Sequence, residues 1–156
     1  MHQTSPPDFG YKVPPKRILW KSSFVITAIV MVFFMWQCGA ALITARRLAN
    51  GAVRHFHEEL NNGRYDEIVR EADEGFASDT GSPNFLQAVH NKLGNATVEK
   101  QANIVVNVNA GRTLITTEYN TTFAHGSATE TFTWIKKGDA LKLYGYNIQS
   151  NAFIVN

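Results

Sequence analysis

Three patterns of hydrophobic and polar residues follow one another along the chain. The run from Phe24 to Ile43 contains no charged residue. Beyond it, apolar residues recur every three or four positions as far as Leu93, and from Ala102 onwards they alternate with polar ones. The first spacing is typical of amphipathic helices and the second of half-buried strands. The sequence therefore predicts an apolar helix, then amphipathic helices, then a sheet.

Helical spacing and helix-ending residues divide the amphipathic part into three helices. The first ends at Asn61-Asn62-Gly63, and the third begins at Ser82-Pro83 and ends before Gly94, a typical C-terminal cap. The predicted apolar positions are Ala45, Ala49, Val53, Phe56 and Leu60 in the first helix, Tyr65, Ile68, Val69, Ala72 and Phe76 in the second, and Phe85, Leu86, Val89 and Leu93 in the third.

The last third of the chain has the pattern of a sheet. Turn residues at Ala110-Gly111, His125-Gly126 and Lys137-Gly138-Asp139 separate four segments with the two-residue period of strands. A change of parity across Gly145 predicts a β-bulge in the last strand. The predicted inward face of the second strand consists of Ile115, Thr117, Tyr119, Thr121 and Phe123. Helices followed by a four-stranded antiparallel meander indicate an α+β fold with the helices packed on one sheet face.

The uncharged run is long enough to cross a bilayer. At 1.5 Å per residue, about 20 helical residues span a hydrocarbon core of roughly 30 Å. Lys and Arg residues flank the run on both sides, and Trp20 lies where an interfacial anchor is expected. A cleaved signal peptide or a lipoprotein signal fits less well, because no A-x-A-like site follows and Cys38 lacks small residues before it. We interpret residues 22–45 as a single-pass transmembrane helix whose partner is membrane lipid.

This helix divides the chain into three predicted parts. Residues 1–21 form a disordered basic arm with paired prolines, residues 22–45 cross the membrane, and residues 46–156 form a soluble α+β domain. The arm carries slightly more Lys and Arg than the opposite flank, which favours a cytoplasmic N-terminus. The domain is then expected outside the cytoplasm, in the periplasm.

Charge is distributed unevenly and narrows the range of partners. Residues 1–48 carry six Lys/Arg against one Asp, or +5, whereas residues 49–156 carry nine Lys/Arg against twelve Asp/Glu, or −3. The basic excess suits anionic lipid headgroups, and a mildly acidic domain is a poor binder of nucleic acid. Cys38 is the only cysteine and falls inside the predicted span, so the domain has neither a disulfide nor a thiolate metal site. We expect no cofactor.

The segments HFHEELNNGRYDEIVREADEGF, NFLQAVHNKLGN and TETFTWIKKGDALKLYGYNIQSNAFI resemble small uncharacterised bacterial membrane-anchored or lipoprotein families. The similarity covers roughly residues 50–156 and lies in the order and spacing of elements. It implies a cystatin-like or nuclear-transport-factor-like cone, in which a curved antiparallel sheet wraps helices, and an extracytoplasmic location. It implies no reaction, because such cones serve enzymes, binding modules and assembly scaffolds alike.

Residues that could carry chemistry are scattered in the sequence. His55 and His57 are two apart on a predicted helix, so their side chains diverge and both are expected in solvent. We expect His90 at the edge of an apolar face and His125 exposed beside a turn. Glu118 and Glu130 are assigned to the polar faces of neighbouring strands, where an acid–base pair is the less favoured interpretation. No nucleophile or phosphate-binding motif occurs, and the sequence predicts no enzyme.

Six aromatic residues on the strands favour core packing, with a small apolar ligand cavity as the alternative. Tyr119, Trp134 and Tyr146 are the predicted wall of such a cavity. The leading functional interpretation is a membrane-tethered, non-catalytic binding or scaffold module with a protein partner or a second copy. An inner-membrane component of a secretion or envelope assembly is one alternative. A cone-fold enzyme or small apolar ligand binder is the other.

Overall fold

In the part of the chain that the structure describes, four helices precede four strands. The computed structural model describes residues 18–79 and 81–154, without the side chains of residues 18–24 and 33–41. The elements are α1 (Ile18–Asn61), α2 (Tyr65–Glu71), α3 (Glu74–Ala77), α4 (Ser82–Leu93), β1 (Ala96–Asn109), β2 (Arg112–Phe123), β3 (Gly126–Lys137) and β4 (Ala140–Gln149), then a 3₁₀ turn at Asn151–Phe153. The predicted α+β class is confirmed. Contacts divide the chain into two units, residues 1–39 and 40–156.

Helix α1 begins at Ile18, upstream of the predicted start at residue 22, and residues 1–17 of the predicted disordered arm lie outside the described residues. In the part of the chain that the structure describes, no helix has the length and hydropathy that a membrane crossing requires. The transmembrane helix over residues 22–45 therefore stays a prediction.

The helices after residue 40 form where their apolar spacing predicts. The whole predicted face of α1, from Ala45 to Leu60, is buried, and the helix ends at Asn61. Helix α4 ends at Leu93 and is capped by Gly94, whose φ of 73° is readily adopted only without a Cβ. The predicted second helix is two helices in the structure, because Asp73 is extended and caps α3 by accepting a hydrogen bond from the Gly75 amide. The amide of Asp73 instead donates to Leu143 O on β4, at 2.8 Å.

The strands form one open antiparallel sheet in the order β1-β2-β3-β4. The turns after β1 and β3 form where the sequence predicts, and β1 begins at Ala96 rather than at Ala102. In the first turn Ala110 and Gly111 both have positive φ, as a two-residue type I′ hairpin requires. The predicted bulge in β4 is confirmed, because Thr133 pairs with Gly145 and Trp134 with Leu143, which leaves Tyr144 without a partner.

The core lies between α1, α4 and one face of the sheet. All five residues predicted on the inward face of β2 are buried, and Phe132 and Trp134 of β3 are buried beside them. Rings of Phe56 and Phe132 meet edge to face with their centroids 5.1 Å apart, which joins α1 directly to β3. Helix α1 therefore covers the inner face of the sheet and determines which polar side chains become buried there.

Candidate functional site

His57 lies in the core, and its predicted solvent exposure is wrong. The side chain is only 3% exposed and contacts the rings of Phe56, Phe123 and Phe132. The reason is helical spacing, since His57 follows Val53 by four residues and precedes Leu60 by three, and both are buried. The spacing from Val53 and Leu60 was the sequence signal that could have placed His57 in the core, whereas the spacing from His55 carries no information on burial.

Glu130 is completely buried on the inner face of β3, so its predicted place on the polar face is also wrong. It has the same strand parity as Phe132 and Trp134, and this parity was the signal that could have located it. Glu118 is half-buried on the other parity of β2, where its register partner is Thr131. The two carboxylates therefore face opposite sides of the sheet and do not form a pair.

A β-bulge brings a second carboxylate to His57. Register between β1 and β2 shifts between Gln101 and Asn103, so Ala102 has no partner. The extra residue reverses the parity of β1, and Glu99 lies opposite the buried Thr121 rather than on the outer face. The pattern of apolar and polar residues does not predict this bulge.

His57, Glu130, Glu99 and Tyr146 form one hydrogen-bonded cluster, which we call the His57 network. His57 Nε2 is 2.9 Å from Glu130 Oε2, and His57 Nδ1 is 3.1 Å from Glu99 Oε2. Tyr146 donates its hydroxyl proton to Glu130 Oε1 at 2.6 Å. Ionised carboxylates only accept, so with Glu99 and Glu130 ionised both ring nitrogens donate and the ring is an imidazolium. Arg54, 3.9 Å from Glu99, places a further positive charge beside the cluster.

The surroundings of His57 change its affinity for protons in two opposing ways. Burial alone lowers the pKa of His57, but hydrogen bonds and charge from Glu130 and Glu99 outweigh burial and raise the pKa above 6.5. Burial, together with the negative charge of Glu130, raises the pKa of Tyr146 well above 10.0. The network therefore favours the protonated form of His57 and keeps the Tyr146 hydroxyl protonated at neutral pH.

The predicted ligand wall surrounds a side chain instead of a cavity. Tyr119 and Trp134 are buried and Tyr146 is half-buried, and each packs on the ring of Phe132, with centroids 5.9, 5.5 and 5.0 Å away respectively. Tyr119 donates to Asn50 Oδ1 at 2.5 Å. The three residues all pack around Phe132, whose side chain occupies the space between them.

One hollow adjoins Trp134, and another adjoins His57. One of about 100 Å³ lies between α1, α2 and β4, with Phe56, Ile68 and Trp134 in its lining. The other, about 380 Å³, is an open groove beside the N-terminal half of β1, lined by Arg54, His57, Glu58, Asn61, Asn62, Ala96 and Glu99. Within the described residues, no three His, Cys, Asp or Glu side chains are arranged to hold a metal ion. Among the residues that line the groove, His57 is the only histidine.

The other three histidines among the described residues lie at the surface or the core boundary. His55 is exposed, as predicted, and its Nε2 is 2.8 Å from Glu71 Oε2. His90 is half-buried between Tyr65 and Asn95, with ring nitrogens 2.7 and 2.8 Å from the Tyr65 hydroxyl and from Asn95 Oδ1. His125 is exposed, as predicted. None of the three belongs to the His57 network.

No protein-family model matches the chain, and no curated protein is similar to it in sequence.

The raised pKa of His57 predicts a stability that falls as pH rises. A folded pKa above the unfolded value contributes stability that is complete below pH 6.5 and is lost as pH rises through the folded pKa. Urea unfolding between pH 5.5 and 8.5 should therefore give the larger free energy of unfolding at pH 5.5. His57→Gln should flatten this dependence. An equally steep profile in the variant would contradict the assignment to His57.

Proposed function

We propose that the chain is a non-catalytic binding or scaffold module, held at a membrane by residues 22–45, with residues 46–156 outside the cytoplasm. Support for the tether comes from the uncharged sequence and its basic flanks. Large apolar side chains on the described part of this segment are exposed, which is a surface that lipid would cover: Val25, Ile26, Ile29, Val30, Met31, Val32, Leu42 and Ile43.

The filled interior of the domain is the observation that carries the non-catalytic assignment. A cone that works as an enzyme or a ligand carrier needs a cavity between helix and sheet, and small-molecule pockets measure about 300–1,000 Å³. In this chain Phe56 and Phe132 fill that space, and the hollow beside Trp134 has only about 100 Å³. The fold is compatible with a cystatin-like or nuclear-transport-factor-like cone whose outer surfaces make the functional contacts.

The His57 network also favours a structural role. A general base must present an unprotonated nitrogen to its substrate. Both nitrogens of His57 are hydrogen-bonded to carboxylates, and Glu130 is completely buried, so neither nitrogen is open to a ligand in the groove. The network joins α1, β1, β3 and β4, which fixes the helix on the sheet.

One observation favours a second candidate, acid–base chemistry in the groove. His57 and Glu99 both line this hollow of about 380 Å³, so a ligand that displaced Glu99 would reach His57 Nδ1. The pKa of His57, measured by NMR titration of its ring protons, separates the two functions. A value clearly above the ordinary 6.5 supports the structural role, whereas a value at or below 6.5 supports catalysis.

Membrane tethering predicts resistance to alkaline extraction. The full-length protein should stay in the membrane pellet after alkaline carbonate, because the apolar segment is more stable in lipid than in water. Replacing Val30 and Met31 with arginine should release it, since each charge near the centre of a span costs about 2.5–3.5 kcal/mol on insertion scales. Replacing the same two residues with leucine is the matched control and should change nothing. Release of the wild-type protein into the supernatant would contradict the proposal that residues 22–45 anchor the chain in a membrane.

A further inference from the structure

The outer edge of β1 is a free strand edge. β1 pairs with β2 on one side, and among the described strands none pairs with its other side. Every residue of the segment Asn103–Asn109 is exposed except the half-buried Ile104, and Val106 and Val108 are 41% and 70% exposed. The segment contains neither charge nor proline, two of the devices by which sheet proteins protect an edge. We call Asn103–Asn109 the edge segment.

The hairpin fixes which backbone groups of the edge segment face outwards. Asn109 and Arg112 close a two-residue hairpin and are the hydrogen-bonded pair next to the turn. Hydrogen bonding alternates along an antiparallel pair, so Ile104, Val106 and Val108 point their N–H and C=O groups away from β2. Consistent with this, the Ile104 amide donates to Asn103 Oδ1 at 2.8 Å. Val106 and Val108 thus present both a donor and an acceptor at the edge, and Ile104 presents its carbonyl oxygen.

The sequence of the edge segment, NIVVNVN, is partly symmetric about Val106: Asn103 matches Asn109 and Ile104 resembles Val108, whereas Val105 and Asn107 differ. Antiparallel pairing of two copies about this residue places Val106 opposite Val106, Ile104 opposite Val108, and Asn103 opposite Asn109. Like side chains therefore meet on the face of Ile104, Val106 and Val108, where β-branched pairs stabilise sheets, whereas Val105 lies opposite Asn107 on the other face. Residues 49–156 carry a formal charge of −3, so an uncharged segment is also where two copies approach with least repulsion.

We propose that two copies of this chain associate by antiparallel pairing of their edge segments about Val106, which gives one continuous sheet across both. A two-fold axis at Val106 makes the contact isologous and closes it as a dimer. The inference names the partner of the proposed scaffold module and rests on that proposal. Failure of the proposed dimer and failure of the proposed membrane tether can be distinguished. Dimerisation is measured in detergent solution, and this measurement does not depend on whether alkaline carbonate extracts the protein from membranes.

A cysteine at the two-fold axis tests the geometry. Hydrogen-bonded antiparallel partners have Cα atoms about 5.5 Å apart, within the range that disulfides span. Full-length protein carrying Cys38→Ser and Val106→Cys, oxidised in mild detergent, should form a disulfide-linked dimer. Asn147→Cys in the same background is the matched control, because Asn147 is exposed on β4 at the opposite edge, and it should stay monomeric.

A charge at the axis tests the energetics. Val106→Lys places two ammonium groups opposite each other and should raise the dimer dissociation constant roughly tenfold or more. Val98→Lys, on the same strand at 61% exposure but outside the edge segment, should leave the constant unchanged. Light scattering measures the mass of each variant, and circular dichroism shows that both fold. A monomeric wild-type protein, a disulfide-linked dimer of the Asn147→Cys variant, or a complex of β1 with another protein or with lipid alone would overturn the proposal.

Discussion

Replacing Glu130 with alanine is expected to lower the free energy of unfolding by about 3–5 kcal/mol, the usual loss when one partner of a buried ion pair is removed. Glu130 is completely buried and accepts hydrogen bonds from both His57 and Tyr146. The substitution leaves the imidazolium without its inner counter-ion and the phenol without an acceptor.

Urea unfolding followed by the fluorescence of Trp134 measures this loss. Trp134 is 4% exposed and stacks on Phe132, so its emission reports the core when Trp20 and Trp36 are replaced by phenylalanine. For a domain of this size the loss corresponds to a midpoint shift of at least about 1 M urea.

Two variants separate the sources of this loss. Glu118→Ala is the matched control on the neighbouring strand, where the half-buried carboxylate faces the other side of the sheet, and it should change stability by no more than about 0.5 kcal/mol. Glu130→Gln keeps the volume and one acceptor, so it should be more stable than the alanine variant but lose the dependence on pH. Equal stability of Glu130→Ala and the wild type would show that the His57 network does not hold the domain together.

The helices and strands could be predicted because their apolar residues repeat with a clear period. The buried stripe of α1, the inward face of β2 and the bulge opposite Thr133 all follow from spacing alone. Predicted ends were less accurate where a local hydrogen bond decides them. Asp73 is the example, since its cap divides one expected helix into α2 and α3.

The His57 network could be predicted only in part. His57 and Glu130 each have the spacing of their apolar neighbours, so strict periodicity would have placed both in the core. The general expectation that charged residues are exposed outweighed this signal. Glu99 is different, because its inward direction depends on the bulge at Ala102, and the bulge follows from sheet geometry rather than from any residue type. Pairing of a histidine with two carboxylates from separate strands is therefore a property of the tertiary structure.

Replacing Phe132 with alanine should be comparably damaging, with a loss of about 3–5 kcal/mol in the free energy of unfolding. Phe132 is completely buried and lies at the centre of the aromatic cluster. Removing its ring leaves a cavity that its neighbours cannot close, since backbone pairing holds them in register. Thr131→Ala, half-buried on the opposite parity of the same strand, is the matched control and should cost far less.

The cavity left by Phe132→Ala would lie between Tyr119, Trp134 and Tyr146, the residues predicted from sequence to line a ligand site. An apolar cavity of this kind stays dry and binds a molecule such as benzene. Benzene should therefore raise the stability of Phe132→Ala, by about 2.7 kcal/mol at a hundredfold excess over its dissociation constant, and leave the wild type unchanged. Stabilisation of the wild type by benzene would instead show that the interior already accepts small apolar ligands. The effect of benzene on the variant and on the wild type therefore tests the proposal that the core is packed and the outer surfaces are functional. If the interior is filled, a partner can bind only at the outer surfaces.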